Sequence, residues 1–387
     1  MKKMKHWVSA FVLLGSCLSA TAQQGERFSI ATLNVDGLPQ KVVVFKINAD
    51  GPGSAGTVRI GKYLMQKDYD MVFMQEDFNY NDELTVMLED NYQFDTWSGD
   101  VGLEGHNVDF LHLQNHRFEC DGLMGCWKNG VTLTSVERTP WTDVFGKFSH
   151  ANDELVTKGF RRYELTLASG FRIVVYNMHM DASDTADEQE GNDLKDREAR
   201  LGEWRQLREE VLNRLDNRPV IVLGDLNSYY SRDNVESEFI NAIAASGRAS
   251  AKDVWVELMN NGTYPEHLEG FVYTEVNGYV LNGETLDKII YINPTGGGQQ
   301  LKAVSFSCDQ DGYRRDGKML GDHFPVAATF EVVGTATVVD DVLSIENKVF
   351  DDTATEIYDL YGRRMMESSK GLYIERNRNG IRKRIIK

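Results

Sequence analysis

A chain of 387 residues is long enough to bury one large core and still carry a small appendage. An apolar share of 41% and a charged share of 26% belong to an ordinary globular protein and exclude a disordered or collagen-like chain. The net charge of −17 opposes passive capture of nucleic acid or of an anionic membrane, although a bound cation can supply the local positive charge that a nuclease needs.

At the N-terminus, Lys2, Lys3 and Lys5 precede an apolar run from Trp7 to Leu18, and Ala20-Thr21-Ala22 forms a small-residue cleavage site. Residues 1–22 are therefore expected to be a signal peptide cut before Gln23, giving a secreted or cell-surface protein. Leu14-Gly15-Ser16-Cys17 offers a competing lipoprotein reading, with anchoring at Cys17, but the Ala-x-Ala site is the cleaner signal. No later apolar run is long enough to span a bilayer. Export makes disulfides permissible, and Cys120 with Cys126 can close a small loop, leaving Cys308 odd; the alternative is three reduced thiols.

In chain order, residues 28–33 form a first expected strand, which ends at Asn34-Val35-Asp36-Gly37. Ile60, Tyr63 and Leu64 give residues 58–67 helical spacing, and residues 71–74 form a buried strand ending at Gln75-Glu76. A short helix is expected over 82–89. Residues 91–151 look like long surface loops around short strands, a place for substrate contacts, with His106, His112 and His116 among them. Residues 162–168 and 171–178 flank Ser169-Gly170 and predict a hairpin with a two-residue turn, its second strand ending at His179.

An acidic loop over 181–193 leads into a helix over 194–215, whose stripe of Leu201, Trp204, Leu207, Val211 and Leu215 is read as core packing. Val220, Ile221, Val222 and Leu223 then form a β-branched run expected to be buried on both faces. It runs straight into Gly224-Asp225-Leu226-Asn227. A helix over 235–245 and strands over 286–292, 303–307 and 324–332 complete the main body. Strands and helices mix without a strict βαβ repeat. The expected fold is an α/β sandwich of two sheets with helices outside, four-layered and mainly antiparallel. It spans residues 26–333, followed by a linker over 334–341 and a small β-module over 342–387.

Six strand ends or strands carry polar groups: Asn34, Glu76, His179, Asp225 with Asn227, Asp287, and Asp322 with His323. One or two such residues are ordinary turn chemistry, whereas six are hard to assign to chance. Glu76 and Asp322 are hard oxygen ligands suited to Mg²⁺ or Ca²⁺. Two histidines beside carboxylates suit a developing anion, and Asp225 beside Asn227 can serve a nucleophilic water. The inventory fits metal-assisted attack of water on a phosphoester.

The ordered motifs Leu33-Asn34-Val35-Asp36-Gly37, Gln75-Glu76, Asn177-Met178-His179, Gly224-Asp225-Leu226-Asn227, Leu286-Asp287 and Gly321-Asp322-His323-Phe324-Pro325 resemble those of the endonuclease/exonuclease/phosphatase superfamily, the deoxyribonuclease-I-like metal phosphoesterases. The resemblance covers residues 28–332. It implies that Glu76 is the main metal carboxylate, with Asn34 beside it and Asp322 assisting, and that the metal is Mg²⁺, with Mn²⁺ or Ca²⁺ as substitutes. It also implies that Asp225 aligns or activates the water and Asn227 binds a phosphate oxygen. His323, oriented by Asp287, would stabilise the pentavalent phosphate, with His179 as a second catalytic histidine.

Lys158-Gly159-Phe160 and His179-Met180-Asp181-Ala182 look like the sphingomyelinase-type phosphodiesterases, with Lys158 a possible phosphate ligand. Asn34-Val35-Asp36-Gly37-Leu38 is similar instead to the repair-type nucleases. The expected partner is a phosphodiester, with phospholipid headgroups ahead of nucleic acid. Trp127, Trp141, Phe145 and Phe148 are candidates to meet lipid at the mouth, with core packing as the plainer role. A secreted nuclease and a non-catalytic surface binding protein remain the alternatives. The tail, through Tyr358-Asp359-Leu360-Tyr361-Gly362-Arg363 and Gly371-Leu372-Tyr373-Ile374, resembles the sorting modules by which type IX secretion machinery exports proteins; the alternative is an unrelated β-appendage.

Overall fold

The computed structural model describes residues 25–42, 45–46, 48–96, 113–114, 117–118, 120–147, 149–184, 190–266, 280–281 and 284–334, with four strands between 356 and 386. The signal segment with Cys17, the linker after 334, His106, His112, His116 and Phe148 lie outside the described residues. The chain divides into two compact units, Met1–Thr335 and Ala336–Lys387.

The first unit is built on two six-stranded sheets. One holds β1 (Arg27–Asn34), β2 (Met71–Gln75), β3 (Tyr92–Phe94), β4 (Met124–Lys128) and, after the second sheet in sequence, β11 (Gln300–Cys308) and β12 (Val326–Val333). The other holds β5 (Thr132–Pro140), β6 (Gly159–Thr166), β7 (Arg172–His179), β8 (Val220–Asp225), β9 (Ala249–Asp253) and β10 (Asp287–Pro294). Their orders are β11-β12-β1-β2-β4-β3 and β9-β10-β8-β7-β6-β5. Each sheet is antiparallel except for one central parallel pair, β1 with β2 and β7 with β8.

Strand alternation sorts the apolar side chains into three layers. From β8, Ile221 and Leu223 point between the sheets to join Phe73, Trp127, Tyr163, Val175 and Phe330. Val220 and Val222 point outward and pack with Trp204, Leu207 and Val211 of α3 (Leu194–Asn213). On the far side, α1 (Gly53–Lys67) covers Leu33, Val72 and Met74 with Ile60 and Leu64. The result is the expected sandwich of two mainly antiparallel sheets between helices. Among the described residues no helix is long and apolar enough to cross a membrane.

Several local expectations are corrected. α1 begins at Gly53, one turn earlier than its apolar spacing suggests, because Pro52 sets a helical φ of −59° at the cap and the following small residues continue the helix. The second helix, α2 (Asn81–Thr85), is shorter than expected and gives way to turns that lead to β3. The hairpin turn is three residues, since Leu167 N donates to Phe171 O at 2.8 Å and Gly170 N closes onto Leu167 O at 2.8 Å. The described residues of 91–151 hold more than short strands between loops, for they include β4 inside the first sheet and the nine-residue edge strand β5. All three described cysteines are free. Cys120 packs with Phe78, whereas Cys126 belongs to the layer under α1, so the two thiols face separate clusters.

The second unit, described by itself, is a four-stranded antiparallel sheet of β13 (Glu356–Tyr358), β14 (Arg364–Met365), β15 (Gly371–Asn377) and β16 (Gly380–Ile386), in the order β14-β13-β15-β16.

Candidate active site

The two parallel pairs bring the polar strand ends together. Asn34 and Gln75 are register partners at the ends of β1 and β2, and His179 pairs with Asp225 at the ends of β7 and β8. Asp225 in turn stands opposite Asp287, where β10 begins. Asp322 and His323 come from the loop that enters β12. The backbone there is unusual. Asp36, Glu76 and Asn227 adopt φ values of 51°, 56° and 43°, a left-handed conformation rare outside glycine that clusters at functional sites. Gly224 has φ 143°, and a Cβ at that position would lie 2.0 Å from Met178 O. Only glycine lets β8 approach β7 closely enough to set Asp225 beside His179.

Asp225 is the centre of the constellation. Its Oδ2 accepts from Asn34 Nδ2 at 3.0 Å and lies 3.4 Å from both His179 Nε2 and His323 Nε2. Its Oδ1 accepts from Asn227 N at 3.1 Å. Burial alone would push this carboxyl up, but the two imidazoles and the Asn34 amide outweigh it and hold the pKa below the ordinary carboxylate value. Asp225 is thus an anion ringed by donors. A carboxylate so stabilised keeps no resting proton and is a good aligner of a bound water.

The two histidines are tuned in opposite directions. His323 Nδ1 lies 2.8 Å from Asp287 Oδ2. Burial works against its charge, yet Asp287, Asp225 and Asp322 raise its pKa well above the usual value, so the ring is an imidazolium. His179 is 1% exposed. Burial, helped by the Lys158 charge, drives its pKa well below the usual value, so this ring is neutral. With Asp225 and Glu76 both on its Nε2 side, at 3.4 and 3.9 Å, the proton belongs on Nε2.

A third group of acids faces the opening. Asn34 Nδ2 also donates to Glu76 Oε1 at 2.9 Å. Glu76 is raised to about 7 by burial and then by the charge of Asp322. Asp36 is raised to about 8 by burial and then by Asp322 and Glu76, despite a hydrogen bond from Asn48. Oxygen donors that repel one another in this way fit a hard divalent cation, which would remove the repulsion. Asp225, Asp287 and His323 also bring one ligand atom each to within 4.8 Å of one another. There the imidazolium already supplies the positive charge, so the trio is better described as a dyad with an acceptor than as a cation cage.

Asn34, Glu76, His179, Asp225, Asp287, Asp322 and His323 therefore share one site. Asn227 joins it with its amide turned to the backbone, Nδ2 donating to Met180 O at 3.1 Å. Lys158 lies beneath the site rather than at its surface. It is 6% exposed, ion-paired with Asp153, and donates to Met180 O at 3.3 Å. Trp127 and Trp141 do not form a lipid-facing mouth. Trp127 belongs to the core between the sheets, and Trp141 is buried with its Nε1 donating to His179 O at 2.7 Å. Phe145 is half-buried and stacks near His150. Asp36 joins the acids of the site although strand-end patterning points to Asn34 instead; its place two residues after Asn34 in the same motif is the only sequence signal for it.

No protein-family model and no curated protein sequence matches this chain. Solved structures do match. An endonuclease/exonuclease/phosphatase family protein from Bacteroides thetaiotaomicron aligns over 79% of this chain and 98% of its own, at 16% identity and a TM-score of 0.51. A mannosyl-6-phosphatase from the same species aligns over 79% and 99%, at 16% identity and a TM-score of 0.50. A humanised D. rerio TDP2 gives 79% and 99%, again at 16% identity and 0.50. With two six-stranded sheets, their central parallel pairs and these matches, the chain has the endonuclease/exonuclease/phosphatase fold.

Proposed function

We propose that this chain is a divalent-metal-dependent phosphoester hydrolase. The observation that carries the reading is the convergence of two buried imidazoles, His323 and His179, each with Nε2 3.4 Å from the Asp225 carboxylate, beside the carboxyl groups of Glu76, Asp36 and Asp322. A cation held by Glu76, with Asp36 and Asp322 beside it, would neutralise charge on the phosphate and on the leaving oxygen. The protein's own groups do the rest. Asp225 and Asn34 orient the attacking water; as its oxygen bonds to phosphorus the ester P–O bond breaks, and the water's proton passes by way of Asp225 to the leaving oxygen. His323, fixed by Asp287, donates to a phosphoryl oxygen as negative charge grows there, and His179 Nε2 contributes a second donor. Asn227 has a further amide hydrogen for a phosphate oxygen.

Within that class we propose a substrate with one reacting phosphate and a zwitterionic or neutral arm, a phospholipid headgroup ahead of nucleic acid. A cavity of about 450 Å³ adjoins the site, and its lining mixes Asp36, Asp50, Asp316 and Asp322 with Arg59, Arg315 and Lys318. Walls of both signs suit a phosphocholine better than a polyanion, which needs an unbroken basic track. The chain should release phosphocholine from sphingomyelin or phosphatidylcholine micelles in Mg²⁺, Mn²⁺ or Ca²⁺, with little nicking of plasmid DNA. Efficient nicking without headgroup release would move the reading to a secreted nuclease. Inactivity on both, and on phosphorylated inositols, would favour the binding-protein alternative.

Export belongs to the same proposal. Mature protein from the native host should begin near Gln23 and lack the segment after about Asp341, which intact-mass measurement decides. Retention of Lys387 would count against a sorting role for the tail.

A further inference from the structure

The helix that the sequence assigns to core packing carries a second, polar row. In α3, Arg197, Arg200, Glu203 and Trp204 recur at intervals of three and four residues or adjoin, so their side chains share one side of the helix. Arg200 and Glu203 have no exposed surface. Placing a guanidinium and a carboxyl group there is costly unless both are bonded.

Their partners are the two loops that hold the site. The first loop, 180–183, follows β7, whose last residue is His179. Arg200 Nη1 donates to Asp181 O at 3.3 Å and to Ser183 Oγ at 2.9 Å, while Glu203 Oε2 accepts from Asp181 N at 2.9 Å. The second loop, 226–233, follows β8, whose last residue is Asp225, and carries Asn227. Arg200 Nε donates to Asp233 Oδ1 at 3.3 Å, Trp204 Nε1 donates to Ser228 Oγ at 3.0 Å, and Arg197 donates to Arg232 O at 2.8 Å. Asp233 also accepts from Tyr229 N at 3.0 Å and from Arg232 Nε at 2.7 Å. Arg232 then reaches back to Asn227 O at 2.5 Å, bracing the residue whose φ is 43°.

We propose that Arg200 is a positioning residue that locks the loop after His179 and the loop carrying Asn227 to one helix, and so holds the His179 ring at its 3.4 Å distance from the Asp225 carboxylate. One planar fork does this because its separate N–H groups serve both loops at once, which a lysine ammonium cannot reproduce. The kinetic consequence rests on the hydrolase reading above, whereas the structural consequence does not.

The test uses the full chain with two readouts. Arg200→Met is expected to lower kcat about 10- to 100-fold, the usual cost of removing a group that orients reacting residues, with KM within about twofold. Hydrogen exchange should quicken in 180–183 and 226–233 together while β1 and β12 keep their protection. Arg208→Ala, on the same helix but bonded to Glu238 O at 3.1 Å, should leave both readouts as in the wild type. Arg200→Lys should restore overall stability but only part of kcat.

If Arg200→Met does not fold, Ser183→Ala should speed exchange in 180–183 alone. If the wild type hydrolyses no phosphoester, the function reading fails and the exchange readout still decides the brace. Unchanged exchange in both loops, or a uniform rise across the sheets, overturns it.

Discussion

Alanine in place of His323 is expected to lower turnover by about 10²–10³ or more, the cost of losing one preorganised donor at a developing oxyanion. The expectation follows from the charge state as well as the place. Asp287 at 2.8 Å and Asp225 at 3.4 Å keep the ring protonated, so it enters the reaction with its hydrogen already directed. His179→Ala should cost a similar factor for a different reason, since a neutral ring supplies a donor without the repulsion that a second imidazolium would bring. Both variants should keep near-native circular dichroism because the sheets carry the core. Steady-state kinetics at saturating metal is the check. A His323 variant within a few-fold of wild type would remove that ring from the chemistry, and the same result at His179 would leave that residue a buried packing group.

The second large effect concerns metal. Excess chelator should abolish turnover, and Mg²⁺ should restore it. Glu76→Ala should do the same irreversibly while leaving thermal stability close to wild type. Without a cation, Glu76 is a carboxylate crowded by Asp36 and Asp322, so its removal relieves repulsion and leaves the apolar layers untouched. Isothermal titration should show metal affinity falling in the variant. Full activity in excess chelator would sink the cation-based reading.

The central strands are legible because their apolar runs are short and largely buried on both faces, and each polar strand end is named by where its run stops. β9 was missed for the opposite reason. Ala249-Ser250-Ala251-Lys252-Asp253 has no β-branched or aromatic residue, and it is a strand because β10 offers it a ladder. β4, with Gly125 and Cys126 in its middle, hid in what looked like loop. Trp127 and Trp141 show the limit for side chains: an aromatic in an irregular stretch does not reveal which way it faces. The polar row on α3 was masked by the apolar stripe beside it, since burial of Arg200 depends on partners up to 33 residues away in sequence.

Four contacts at the site run from one sheet to the other: Asn34 to Asp225, His179 to Glu76, and His323 to both Asp225 and Asp287. Neither half contains a working centre. The site is a seam, and its spacing is a measure of how the two sheets are seated on each other. A cavity cut into the shared interior, by Phe73→Ala or Ile221→Ala, would leave every reacting side chain in place yet let one sheet slide against the other. For the hydrolase proposed above, turnover is therefore expected to gauge interior packing, with loss of rate preceding loss of structure as that interior is eroded.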